Sequence, residues 1–166
     1  MDKQIARLEP LFAAQAKLDA TIAENHHVTY ESTHSRRILA LLVEIGEFAN
    51  TTRCFKYWSS KGMEDKETVL DEYADGMHFF LSLGIDIGTK KNDYEIEKPN
   101  RDLVEQIHLV YSYIEDFRNL SSDPNYINAF QAFLDILPLI GFSYQEAEEA
   151  YFKKLGVNYH RQETNY

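Results

Sequence analysis

Four carboxylates are the residues of this chain whose spacing is suited to chemistry. Glu44-Ile-Gly-Glu47 and Glu72-Tyr-Ala-Asp75 each hold two acids three residues apart, which on a helix places both on one face. One such pair describes an ordinary solvated surface. The phase of the two pairs says more. At about 100° per residue, Glu44 and Glu47 fall along one edge of an apolar stripe centred on Ile45, and Glu72 and Asp75 along the edge of a stripe centred on Tyr73 and Phe80. Both pairs border the core instead of lying opposite it. If the two helices pack as an antiparallel hairpin, the acid edges face one another across a cleft. Two unit charges about 4 Å apart repel by on the order of 4 kcal/mol at an intermediate effective dielectric. Such a cluster needs protons or cations. All-oxygen ligands suit Mg²⁺, which keeps waters and shares phosphate oxygens. With no thiolate or histidine cluster, zinc is a poor fit.

The neighbours of these acids allow more than one reading. Asp75-Gly-Met-His78 has carboxylate-x-x-His spacing, but di-iron bundles use two such segments and two further glutamates, and only one is found. His78 lies off the stripe centre and reads equally as a packed histidine or a ligand contact. Phe79 lies azimuthally between Glu72 and Asp75, where it is either a platform for a base or sugar or a residue that another helix covers. Near the C-terminus, Lys154, Asn158 and Arg161 offer the donors a triphosphate needs, or form a solubilising tail. Trp58, the sole tryptophan, reads plainly as a packing residue.

The elements that must position these groups read as helices nearly throughout. Ile5, Leu8, Phe12, Leu18 and Ile22 recur at helical spacing over 2–24. Residues 26–32 break the pattern. A second helix is expected from about 33 or 35, carrying Ile38, Leu41, Ile45, Phe48 and Phe55, with Gly62 as its stop. A third is expected over 65–83, ending at Gly84. A loop follows to Pro99. A fourth helix covers 100–120, and a fifth opens at Pro124 and runs to about Gly141, kinked or shortened at Pro138. Ser143-Tyr-Gln-Glu146 is a capping box that opens the last helix, which reaches Lys154 or beyond. No alternating segment of strand length stands out. The expected fold class is all-α, a bundle of five to six helices in a single domain spanning 1–166.

The bulk composition limits the partners. The chain has 166 residues, 17 basic against 27 acidic, for a net charge of -10. Such a surface repels a phosphate backbone, so no nucleic-acid polymer is expected as partner. No apolar run approaches the roughly 20 residues that span a bilayer and no leader segment opens the chain, so no membrane is expected and the location reads as cytoplasmic. Cys54 is the only cysteine. No internal disulfide is possible, and no catalytic motif surrounds the thiol. The 10 Phe and 11 Tyr leave room for a subunit interface.

In sequence the chain resembles the all-α NTP pyrophosphohydrolases, the superfamily of the MazG proteins and the dimeric dUTPases. It resembles the latter most closely in Glu47-Phe-Ala-Asn-Thr-Thr-Arg-Cys-Phe-Lys-Tyr-Trp-Ser59, Asp71-Glu-Tyr-Ala-Asp-Gly-Met-His-Phe79, Gln15-Ala-Lys-Leu-Asp19 and Tyr151-Phe-Lys-Lys-Leu-Gly-Val-Asn-Tyr-His-Arg-Gln162. Asp19 stands where that family more often has an amide, and Asn165 precedes Tyr166 where a glycine is usual. The resemblance implies a homodimer that hydrolyses dUTP, and also dUDP, to dUMP through water activated by Mg²⁺. Glu44, Glu47, Glu72 and Asp75 would hold the metal, with Glu44 or Glu47 orienting or deprotonating the water. Gln15, Asp19, Trp58, His78 and Phe79 would line the nucleoside pocket, and Lys154, Asn158, Arg161 and Gln162 would meet the phosphates, with Lys56 and Lys61 as further candidates. Two alternatives stand beside it: a MazG-like enzyme acting on dCTP or a modified nucleotide, and a non-enzymatic helical interaction module.

Overall fold

The computed structural model describes residues 3–165. The order of elements is β1 (Gln4–Arg7), α1 (Glu9–His26), α2 (Tyr30–Thr52), α3 (Lys66–Ile87), β2 (Asp93–Ile96), α4 (Leu103–Asn119), α5 (Asp123–Leu134), α6 (Ile136–Leu139) and α7 (Tyr144–Glu163). The fold is an all-α bundle with one small sheet. α3 is its central helix, packed against α1, α2, α5 and α7. Apolar residues on successive turns of α3, among them Val69, Tyr73, Met77 and Phe80, are almost fully sealed from water.

Caps set most of the helix starts. Thr29 and Ser32 form a reciprocal capping box that opens α2 earlier than the sequence suggested. Asp65, Asp102 and Ser122 each accept from a backbone N–H in the first turn of the helix they open. Ser143 and Glu146 form the expected box at α7. Each such cap satisfies N–H groups that have no partner within the helix.

The ends depart further from expectation. The proposed start at Asp2 lies outside the described residues, as does Tyr166. Ile5 belongs to β1 and is exposed, not part of a core stripe, because α1 begins only at Glu9 with Pro10 in its first turn. α2 stops well before Gly62. Thr51 and Thr52 turn their hydroxyls back onto the carbonyls of Phe48 and Ala49 at 2.7 Å each, and Arg53 takes the left-handed conformation that ends the helix. Phe55 therefore falls in the following segment and is exposed. α3 runs past Gly84 to a left-handed Gly88. Gly84 serves close packing instead: a Cβ there would collide with the Tyr126 hydroxyl, which donates to the Phe80 carbonyl at 2.7 Å. Asp135 separates α5 from the short α6 that holds Pro138.

The stretch read as a plain loop contains β2. It pairs antiparallel with β1, Gln4 opposite Ile96 and Arg7 opposite Asp93. Tyr94 and Ile96 turn inward and their neighbours outward. Four residues are too few for that alternation to stand out in sequence. No single helix among the described residues is long and apolar enough to cross a membrane.

Candidate active site

α2 and α3 are antiparallel neighbours. Residues early in α2 meet residues late in α3: Arg37 Nη2 donates to Asp86 Oδ2 at 2.7 Å, and His34 Nδ1 lies 2.6 Å from the same oxygen. Toward the other end of the pair, Glu44, Glu72 and Asp75 come together, each offering an oxygen within 4.8 Å of the others. Glu47 stands beside them, within hydrogen-bonding reach of both Glu44 and Glu72. The two acid edges meet where the helices pack.

Burial and mutual repulsion dominate the electrostatics of the cluster. Burial, then the negative charges of Asp75 and Glu47, push the Glu44 carboxyl up to about 8. The same causes push Glu72 up to about 7. Asp75 is also raised, because its burial outweighs the ion pair it makes with Lys154. The Oε2 atoms of Glu44 and Glu72 are sealed from solvent and have no hydrogen-bond partner. A buried carboxylate oxygen without a donor is unfavourable, and a divalent cation with a preference for oxygen would satisfy both atoms. The donor set fits such an ion.

α7 supplies the basic side. Lys154 is buried, 6% exposed, and donates to Asp71 at 2.9 Å and Asp75 at 3.3 Å. Burial alone would lower its proton affinity, but the two carboxylates outweigh that and hold the ammonium charged. Arg161 adds positive charge felt by Asp75 and donates to Asn158 at 3.4 Å. Gln162 lies some two helical turns beyond Lys154 and accepts from Asn25 at the end of α1.

A cavity of about 430 Å³ opens between α1, α2 and α3. Asp19, His78 and Phe79 line it, together with Tyr30, Arg37 and Ser82. The cavity's wall continues the same helices that carry the acids, since His78 follows Asp75 by one turn. His78 Nδ1 is sealed and unpartnered, and burial, only partly offset by the Asp19 charge, lowers the ring to about 4, so it is neutral. Gln15 is fully buried and stands behind Asp19, to which its Nε2 donates at 2.9 Å.

Three proposed contacts have local neighbours of their own. Trp58 is 64% exposed and packs edge-on against Phe55 and Tyr57. Lys56 has its ammonium 5.9 Å from the Phe55 ring, and Lys61 offers its carbonyl to Arg53. All three belong to the segment between α2 and α3. Sequence reasoning passed over Asp71, although it precedes Asp75 by four and so shares its face. It also passed over Tyr30 and Arg37, which the later expected start of the helix left outside or at its margin.

An antiparallel helix pair that gathers three acids, with a fourth beside them and a buried lysine against one of them, defines an all-α bundle with an acidic cluster that could hold a metal ion. A family model described as dUTPase matches residues 7–166. The chain belongs to this family, the all-α dUTPases, and the membership carries with it dUTP diphosphatase activity, the hydrolysis of dUTP. No curated protein matches the chain.

Proposed function

We propose that this protein hydrolyses dUTP, and dUDP as a second substrate, to dUMP in a Mg²⁺-dependent reaction, as one domain that works in a homodimer. The observation that carries the metal requirement is the pair of sealed, unpartnered oxygens on Glu44 and Glu72. Glu44, Glu72 and Asp75 would hold Mg²⁺, with Glu47 at their side. When bound, Mg²⁺ neutralises phosphate charge and makes water more acidic.

The chain's own groups supply the remainder. Glu47 is exposed beside Glu44 and Glu72 and takes the proton of the water that attacks the α-phosphorus. Pyrophosphate leaves from dUTP, and inorganic phosphate from dUDP. Lys154, Asn158 and Arg161 bind phosphate oxygens; the ammonium now on Asp75 and Asp71 is the cation that stands ready. Asp19, His78 and Phe79 form the nucleoside side, where the cavity would take the base. Exposed apolar residues, Leu39 and Val43 on one face of α2 and then Tyr57 and Trp58, support the subunit interface, and Trp58, Lys56, Lys61 and Gln162 would join the site only through assembly or closure.

The test is a panel of dUTP, dUDP, dCTP and dTTP with Mg²⁺ or chelator, with the monophosphates quantified. Turnover of dUTP well above dCTP and dTTP, lost in chelator, is the expected result. Equal turnover of the three triphosphates removes the substrate assignment, and activity in chelator removes the metal. Light scattering should give a mass twice the 19.4 kDa of one chain.

A further inference from the structure

α7 turns a lysine inward where its pattern calls for an apolar side chain. The buried residues of the helix, Tyr144, Ala147, Tyr151 and Lys154, recur at spacings of three and four, the stripe of an amphipathic helix. Among the described residues Lys154 is the most deeply buried charged one. Lys153 beside it shows the ordinary alternative, a largely exposed lysine paired with an exposed Glu67, which contributes little. A buried ammonium without partners is costly. The place of Lys154 therefore depends on the carboxylates that receive it.

Those carboxylates are not equivalent. Asp71 and Asp75 stand four residues apart on α3 and share the face that meets α7. Asp71 accepts from Lys154 Nζ at 2.9 Å and Asp75 at 3.3 Å. Asp75 also belongs to the triad with Glu44 and Glu72. Asp71 does not, and its side chain is half exposed. The ammonium is thus shared between one acid inside the cluster and one outside it.

A divalent cation held by Glu44, Glu72 and Asp75 would take up the charge of Asp75 and repel the ammonium beside it. Of the two partners, Asp71 is the one that stays with Lys154. An ammonium has three hydrogens. One remains on Asp71, and the hydrogen released by Asp75 is free for a phosphate oxygen.

We propose that Asp71 is a positioning residue: it anchors Lys154 at the edge of the acidic cluster, so that the ammonium yields Asp75 to a divalent cation without leaving the site. The inference rests on the reading of Glu44, Glu72 and Asp75 as the cation's ligands. Without Asp71, Lys154 has Asp75 alone and competes with the cation for it.

The experiment measures Mg²⁺ affinity by titration calorimetry, without nucleotide and at one pH, in the unsubstituted protein, Asp71→Asn, Lys154→Met and the double variant. Asp71→Asn should weaken Mg²⁺ binding about tenfold, the worth of one hydrogen bond to a charged group. In the Lys154→Met background the same change should alter it by less than about twofold, because the competitor is gone. Equal losses in both backgrounds would mean that Asp71 acts only through its own charge, and its positioning role is overturned. A second readout does not need Lys154→Met to fold: light acylation with acetic anhydride, mapped by mass spectrometry with Lys153 as the exposed reference. Lys154 should stay protected in the unsubstituted protein with Mg²⁺ or chelator, and become reactive in Asp71→Asn when Mg²⁺ is added. Protection of Lys154 in Asp71→Asn with Mg²⁺ also overturns the role. Glu44→Gln separates the two readings. If it lowers Mg²⁺ affinity and Asp71→Asn does not, the cluster stands and the role of Asp71 falls; if it leaves Mg²⁺ affinity unchanged, both fall.

Discussion

At the scale of single residues, Glu44 and Glu72 combine a cost to the fold with a use in the site. Each has a carboxylate oxygen sealed from water without a donor, next to other acids. Removing one charge relieves repulsion and a desolvation penalty while removing a metal ligand. Glu44→Gln and Glu72→Gln should therefore lower kcat by at least about a hundredfold and leave the melting temperature in chelator unchanged or higher. A lower melting temperature with activity retained would show ordinary structural acids. The same groups set a pH dependence. Both carboxyls have folded values, about 8 and about 7, above their ordinary 4.5. The folded state thus binds their protons more tightly than the unfolded chain does. Their contribution to stability is complete below pH 4.5 and is lost as pH rises through about 7 and 8. In chelator the melting temperature should fall between about pH 5 and about pH 9 from these groups, and Mg²⁺ should restore it at the alkaline end, where the carboxylates are ionised. No such difference between chelator and metal at alkaline pH would count against a shared cation.

At the scale of elements, α3 must pack closely on α5 for its acid edge to stay against α2. Gly76 and Gly84 make this possible. A Cβ at Gly76 would lie 2.8 Å from the Phe133 ring, which stacks on Tyr73 at 4.2 Å. At Gly84 it would displace the Tyr126 hydroxyl from the Phe80 carbonyl. Gly84→Ala should destabilise by about 1–3 kcal/mol through overpacking, read from urea unfolding, although alanine favours helix more than glycine does. An unchanged or greater stability would mean that α5 yields easily. Gly84 also illustrates what the sequence hides. As a glycine near the end of an apolar run it reads as a stop, and only the tyrosine from a distant helix reveals it as a contact. The Ser143 box was legible because both partners are local, within three residues. Arg53 was not, because a left-handed arginine carries no compositional sign. The acid edges were legible for a related reason: two pairs at spacing three define their own face, and one hairpin assumption brings them together.

At the scale of the whole molecule, a chain with a net charge of -10 is expected to process a polyanion. The acids are not spread evenly against that task, since three of them converge on one point and a buried lysine lies against Asp75. Binding should therefore be strongly coupled: Mg²⁺ held by Glu44, Glu72 and Asp75 would relieve the repulsion among the carboxylates and would favour a phosphate beside them. Either ligand alone meets an incomplete site. A ligand held at a hundred times its dissociation constant stabilises the folded state by about 2.7 kcal/mol, and for a chain of this length each kcal/mol moves the melting temperature by about 2–4 °C. With Mg²⁺ and a non-hydrolysable dUTP analogue together the rise should reach about 5–10 °C, above the sum of the rises with each alone. Glu44→Gln should abolish the excess over that sum while leaving the protein folded. Additive shifts in the unsubstituted protein would mean that metal and nucleotide bind at separate places, and the convergence of acids on α2 and α3 would then serve something other than phosphate chemistry.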